Sequence, residues 1–108
     1  MELAELLGVR PGVTALAGGG GKTAMMYTLA QELAARGTVI CTTTTHILLP
    51  DHLPVLERVD REVLERRRCV CTGRPAPEGK LAAPVQTIEE LAALADCVLV
   101  EADGSRGL

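Results

Sequence analysis

A chain of 108 residues, 47% hydrophobic and 23% charged with a single aromatic residue, is long enough for one aliphatic-cored domain and too short for two. Its formal charge of −3 leaves no electrostatic footprint for nucleic acid, and no apolar run approaches a membrane-spanning length. Its four cysteines, Cys41, Cys69, Cys71 and Cys97, form no CxxC pair and sit in apolar runs, so buried free thiols suited to a reducing cytoplasm are expected rather than disulfides or zinc ligands.

In chain order, "MELAELLG" predicts a short helix with Leu3, Leu6 and Leu7 on one face. "VTALAG" is near-continuously apolar, as a strand covered on both faces would be. From Lys22 to Arg36 the period becomes helical: Met25 or Met26, Leu29, Ala30 and Leu33 recur on one side, and Gly37 is a natural stop. "TVICTTTT" follows as a β-branched strand. Strand, helix and strand make a βαβ unit, with a parallel sheet as its consequence. "HILLPDHLP" predicts a loop or broken turns because of Pro50 and Pro54. "RVDREVLERRR" is helical, with Val59, Val63 and Leu64 inward and the arginines on a solvated face. "CVCTG" is a short strand, and "RPAPEGKLAAP" a small hairpin turning at Gly79. Thr87 and Glu90 have capping-box spacing before the stripe Ile88, Leu91, Ala92, Ala95. "CVLVEADG" is a last strand that ends on two carboxylates.

The chemistry concentrates where the first strand meets the first helix. In "AGGGGKT", which begins its glycines at Gly18, the amides of Gly19, Gly20, Gly21, Lys22 and Thr23 can turn around an anion, because glycine admits the required φ values and lets the backbone approach without a Cβ. The first helical turn adds free N–H groups and a favourable dipole. Lys22 is then expected on the β and γ phosphates of a nucleoside triphosphate, and the Thr23 hydroxyl on Mg²⁺. The strict GxxxxGK[ST] pattern fails, since Leu16 stands where its first glycine belongs. The shorter G-x-x-G-K-T fits Gly18 to Thr23, in the required context of strand before and helix after. A plain turn needs one or two glycines rather than four, and a dinucleotide loop gains nothing from Lys22 and Thr23.

A phosphate loop with Mg²⁺ calls for a carboxylate at a neighbouring strand end. Glu101 and Asp103 are two apart and share a side if the strand continues, so either is a candidate for holding the metal or orienting a water. "TTTTH" ends the second strand at the edge where open parallel sheets bind ligands. Thr44 or Thr45 is a candidate for Mg²⁺ or the γ phosphate, and His46 for a donor to phosphate or substrate, against the plainer reading of good strand formers and a surface histidine. Arg106 is placed to reach a γ phosphate or an anionic substrate. Arg74 and Lys80 are candidates to line a second-substrate pocket, and His52 is read as surface.

"AGGGGKT", "TTTTH" and "VLVEADGSRGL", in that order and spacing, resemble the selenium-dependent molybdenum hydroxylase accessory protein family, YqeC, over nearly the whole chain. "TTTTH" with "EADGSRG" is the most specific part. The resemblance implies a P-loop-like protein, longer than this chain, linked by genomic association to maturation of a selenium-dependent molybdenum hydroxylase. Carried over, the phosphate loop falls on Gly18 to Thr23, the threonine motif on Thr42 to His46, and the acidic motif on Glu101, Asp103 and Arg106. The short loop is also similar, more loosely, to that of the Mur ligases.

The sequence therefore predicts an α/β, P-loop NTPase-like parallel sheet with helices on both faces, residues 1–108 forming the N-terminal part of a larger nucleotide-binding domain. The expected cofactors are Mg²⁺ and ATP or GTP. The expected partner is a molybdenum hydroxylase or its cofactor, with no nucleic acid and no membrane. Three functions are open: triphosphate hydrolysis driving maturation, an ATP-dependent small-molecule kinase or ligase, and a nucleotide-gated scaffold without turnover.

Overall fold

The computed structural model describes residues 12–17 and 22–102. The predicted helix in residues 1–8 lies outside them. Eight strands and three helices follow in order: β1 (Gly12–Ala17), α1 (Lys22–Ala34), β2 (Val39–Thr43), β3 (His46–Leu48), β4 (Val55–Leu56), α2 (Arg61–Arg67), β5 (Cys69–Thr72), β6 (Arg74–Ala76), β7 (Lys80–Ala82), α3 (Ile88–Ala92) and β8 (Cys97–Ala102).

Five strands make an all-parallel sheet in the order β1-β8-β2-β5-β4. The last strand in sequence lies between the first two, so the acidic strand end stands beside both the strand that enters the glycine stretch and the threonine-rich strand. Register fixes this closely: Glu101 faces Leu16 on one side and Thr43 on the other.

Strand alternation divides the core in two. Val39, Cys41, Cys69, Cys71, Cys97 and Leu99 meet Met26, Leu29, Ala30 and Leu33 of α1. Ile40, Val70, Val98 and Val100 meet Val59, Leu64 and Leu91 on the opposite face, beneath α2 and α3. The sheet thus has helices on both faces, and its central strands read as continuous apolar runs because both of their faces are buried. Each fully buried aliphatic such as Leu29 or Leu99 contributes about 1.5–3 kcal/mol by leaving water. All four thiols are free and buried, as their apolar settings predict.

Local signals set the boundaries. Asp60 caps α2 by accepting from the Val63 amide at 2.9 Å. Thr87 and Glu90 form the reciprocal capping box that opens α3. Between strands, Asp96 and Thr38 exchange two bonds: the Thr38 amide donates to Asp96 Oδ2 at 3.0 Å, and the Asp96 amide to Thr38 Oγ1 at 2.9 Å. The buried Gln86 side chain copies a strand partner, accepting from the Val59 amide at 2.7 Å and donating to its carbonyl at 3.0 Å.

The segment "HILLPDHLP" departs from the loop expected of it. Its His46–Leu48 joins a second, antiparallel sheet ordered β3-β7-β6, and just after it Val55–Leu56, to which the sequence reading assigns no element, closes the edge of the main sheet. Ile47 and Leu81 point inward from the small sheet into the α1-side core. The hairpin expected in "RPAPEGKLAAP" is present as β6 and β7, turning through Pro77–Gly79, where Glu78 and Gly79 take φ of 65° and 70°. No helix among the described residues is long and apolar enough to cross a membrane.

Candidate functional site

In a parallel sheet every strand points its carboxyl end to the same edge, and here that edge gathers Ala17, Glu101, Thr43 and Thr72. The residues 18–21 join the end of β1 to Lys22, the first residue of α1. Glu101 has the parity of Leu99, so its side chain lies on the α1 face of the sheet. There it accepts a hydrogen bond from the hydroxyl of Thr23, in the first turn of α1. Neither residue is fully buried.

The threonine-rich strand end is tied to the same residue through the backbone. Thr43 Oγ1 donates to the Glu101 carbonyl at 2.9 Å, and the Thr44 amide donates to that carbonyl at 3.2 Å. The Thr45 amide donates to Thr43 Oγ1 at 3.0 Å. Thr44 and Thr45 therefore enter the edge through their amides, and the hydroxyl that organises it belongs to Thr43, which the sequence reading holds only within the Thr42 to His46 motif and does not single out. Alternation is the signal that finds it, because Thr43 has the parity of Cys41 and Thr42 does not. Thr42 turns to the other face and donates to the Thr72 carbonyl at 2.9 Å.

His46 opens β3 next to this edge, exposed and opposite Ala82. Gly18, Gly19, Gly20, Gly21, Asp103 and Arg106 lie outside the described residues, as does the side chain of Lys22.

A cleft of about 300 Å³ begins at Thr23 and runs along the outer side of α1. Its far wall is the segment 48–52. Tyr27 crosses it, donating from its hydroxyl to the Leu48 carbonyl at 2.8 Å, and burial raises its pKa far above that of an ordinary phenol, so it stays a neutral donor. Arg74 and Lys80 stand on exposed positions of the small sheet and are not among the residues lining this cleft, Arg74 donating from Nε to the Ala83 carbonyl at 2.9 Å.

The donor chemistry at Thr23 and Glu101 is hard oxygen. A hydroxyl that gives its proton to a carboxylate keeps its lone pairs free, and the carboxylate keeps its second oxygen. That is the donor set of Mg²⁺, which retains waters and binds through one or two protein oxygens plus phosphate rather than in an all-protein cage. Among the described residues no three His, Cys, Asp or Glu side chains group as a metal cage. The pair fits a water- and phosphate-completed cation and does not fit zinc.

Fold and edge together define an α/β protein with a parallel sheet, helices on both faces, and a hydroxyl–carboxylate pair where a glycine stretch meets its first helix. The chain belongs to the YqeC family: the family model described as YqeC protein matches residues 14–108. It is 36% identical over 111 residues to a protein of Escherichia coli (strain K12) described as uncharacterized protein YqeC, an alignment covering 92% of this chain and 43% of that relative. The chain thus spans less than half the length of the curated relative it matches. No solved structure matches it.

Proposed function

We propose that the chain binds a nucleoside triphosphate, ATP or GTP, with Mg²⁺ at the carboxyl edge of its parallel sheet, and that hydrolysis supports maturation of a molybdenum hydroxylase in the cytoplasm. The observation that carries this reading is the Thr23–Glu101 hydrogen bond, which joins the first turn of α1 to the acidic strand end beside it.

In this reading the amides of Gly18 to Gly21 and the Lys22 ammonium cradle the phosphates. Thr23 and Glu101 would hold the cation, with Asp103 a further candidate ligand. Mg²⁺, when bound, would supply neutralisation of the phosphate charge. Glu101 or Asp103 orients the attacking water, while Thr43 and the Thr44 amide fix the Glu101 backbone so that its carboxylate does not wander. Arg106 and His46 are candidates for donors to the terminal phosphate. Transfer to a small acceptor is the alternative enzymatic reading, favoured by the cleft that begins at Thr23. A nucleotide-gated scaffold is the third.

³¹P NMR of the chain with Mg·ATP or Mg·GTP, with and without added acceptors, separates the three. Free phosphate alone indicates hydrolysis, and a new phosphorylated species indicates transfer. Tight binding with neither indicates the scaffold.

A further inference from the structure

The cleft beside α1 has a chemical character of its own. One wall is a helical stripe running from Thr23 through Tyr27 to Gln31, and the other is the stretch from Leu48 to His52. The two walls are fastened by the Tyr27–Leu48 hydrogen bond. The His52 ring meets Tyr27 edge-on, with centroids 6.3 Å apart and planes at 83°. About 300 Å³ is the lower end of the range for small-molecule sites. The residues lining it include Asp51, Gln31 and His52 and, among the described residues, neither lysine nor arginine. A carboxylate only accepts hydrogen bonds. An anion entering here meets Asp51 with no lysine or arginine among the described lining residues to offset it, whereas an N–H-rich group meets a partner of opposite charge. Leu48 and the Tyr27 ring offer apolar surface to a flat body.

We propose that this cleft is a second-ligand pocket, adjoining the nucleotide site through Thr23 and taking a compact, planar, neutral or cationic molecule that bears an amine or amidine, with Asp51 as its anionic partner. It rests on the nucleotide reading for its role, but its ligand chemistry rests on the cleft alone. Thr23 belongs both to the cleft and to the pair with Glu101, so the occupant lies beside the phosphate end of the nucleotide and does not compete with it.

Saturation-transfer NMR on the full chain with benzamidine and benzoate, flat rings of equal size and opposite charge, tests this. Benzamidine is expected to bind and benzoate not. Asp51→Asn should weaken benzamidine about tenfold by removing a charge-assisted partner. Gln31→Trp, at an exposed helix position, should block it by filling the cleft, while Lys22→Ala should leave it unchanged. Saturating Mg·ATP should not displace it. Equal binding of benzoate overturns the proposal, as does benzamidine binding indifferent to both cleft variants. Displacement by Mg·ATP overturns it too, by making the cleft the nucleotide's own seat. Because benzamidine has no phosphate, failure of nucleotide binding and failure of the cleft are read separately.

Discussion

The hydroxyl of Thr23 donates to the carboxylate of Glu101, 78 residues away in sequence, and so links the first turn of α1 to the end of β8. If that pair holds the cation, Thr23→Val should lower the affinity for Mg·ATP or Mg·GTP about ten- to a hundredfold, the loss expected when a charge-assisted site gives up one polar partner. Thr23→Ser should retain most of it. Urea unfolding of both variants should stay close to that of the parent, because the site is at the rim of the core. Calorimetric titration checks this, and unchanged affinity in Thr23→Val removes the residue from the site.

Thr42 and Thr72 are both fully buried on the face away from α1, but only one hydroxyl is used. Thr42 Oγ1 donates to the Thr72 carbonyl, whereas Thr72 Oγ1 is buried with no hydrogen-bond partner. Thr42→Val should therefore cost about 1–2 kcal/mol, and Thr72→Val should be neutral or stabilising by up to about 1 kcal/mol. Denaturant midpoints at constant m-value decide it. Equal losses at the two positions would contradict the hydrogen-bond assignment.

Gly73 joins β5 to β6, close against Leu81 and Ala82 of β7. A Cβ there would stand 2.6 Å from the Ala82 carbonyl oxygen and 3.2 Å from the Leu81 Cβ. The obstacle is backbone, so it cannot rotate away, and Gly73→Ala should cost about 2–4 kcal/mol through strain and displaced packing. Gly79→Ala meets no atom within 4 Å, but must hold φ of 70° and should cost about 1–2 kcal/mol. A reversed order in thermal unfolding would place the small sheet elsewhere.

Burial pushes the Cys71 thiol up to about 11, against an opposing hydrogen bond with Tyr27. Burial raises Cys97 as well, and Cys41 is raised chiefly by its bond with Cys69, which is lowered in return. Below pH 9 the Cys71 thiol is protonated in both folded and unfolded chains, so its contribution is intact. Above that the unfolded chain loses its proton first, and folding loses support until the folded thiol titrates. Stability should be level up to about pH 9 and fall by about 2–3 kcal/mol toward pH 11 from Cys71 alone. Cys71→Ala should make the fall shallower. Urea midpoints across this range test it, and an identical slope in the variant would count against the thiol.

The sequence made some of this legible and hid the rest for physical reasons. The strand into the glycines, the helix from Lys22 and the strand ending at Glu101 are long periodic or apolar segments whose burial is decided locally, and the structure has them. The capping box at Thr87 and Glu90 is likewise a local device. β3 and β4 were not readable, because Pro50 and Pro54 punctuate the segment and its strands exist only through pairing with β7 and β5. Alternation within "TTTTH" puts Thr43 on the face of Cys41, but its bond to Glu101 required knowing that β8 lies beside β2, which no spacing contains. The cleft was missed for the same reason. Tyr27 and Gln31 look like the polar side of an amphipathic helix until the segment 48–52 is set against them.

The central claim is polyphosphate binding at the start of α1, and the most direct measurement is calorimetric titration of Mg·ATP and Mg·GTP into the parent chain and into Lys22→Ala. The account predicts saturable binding of at least one nucleotide by the parent, and at least about a tenfold loss on removing the ammonium group. Absence of binding in the parent, or equal affinity in Lys22→Ala, would contradict it.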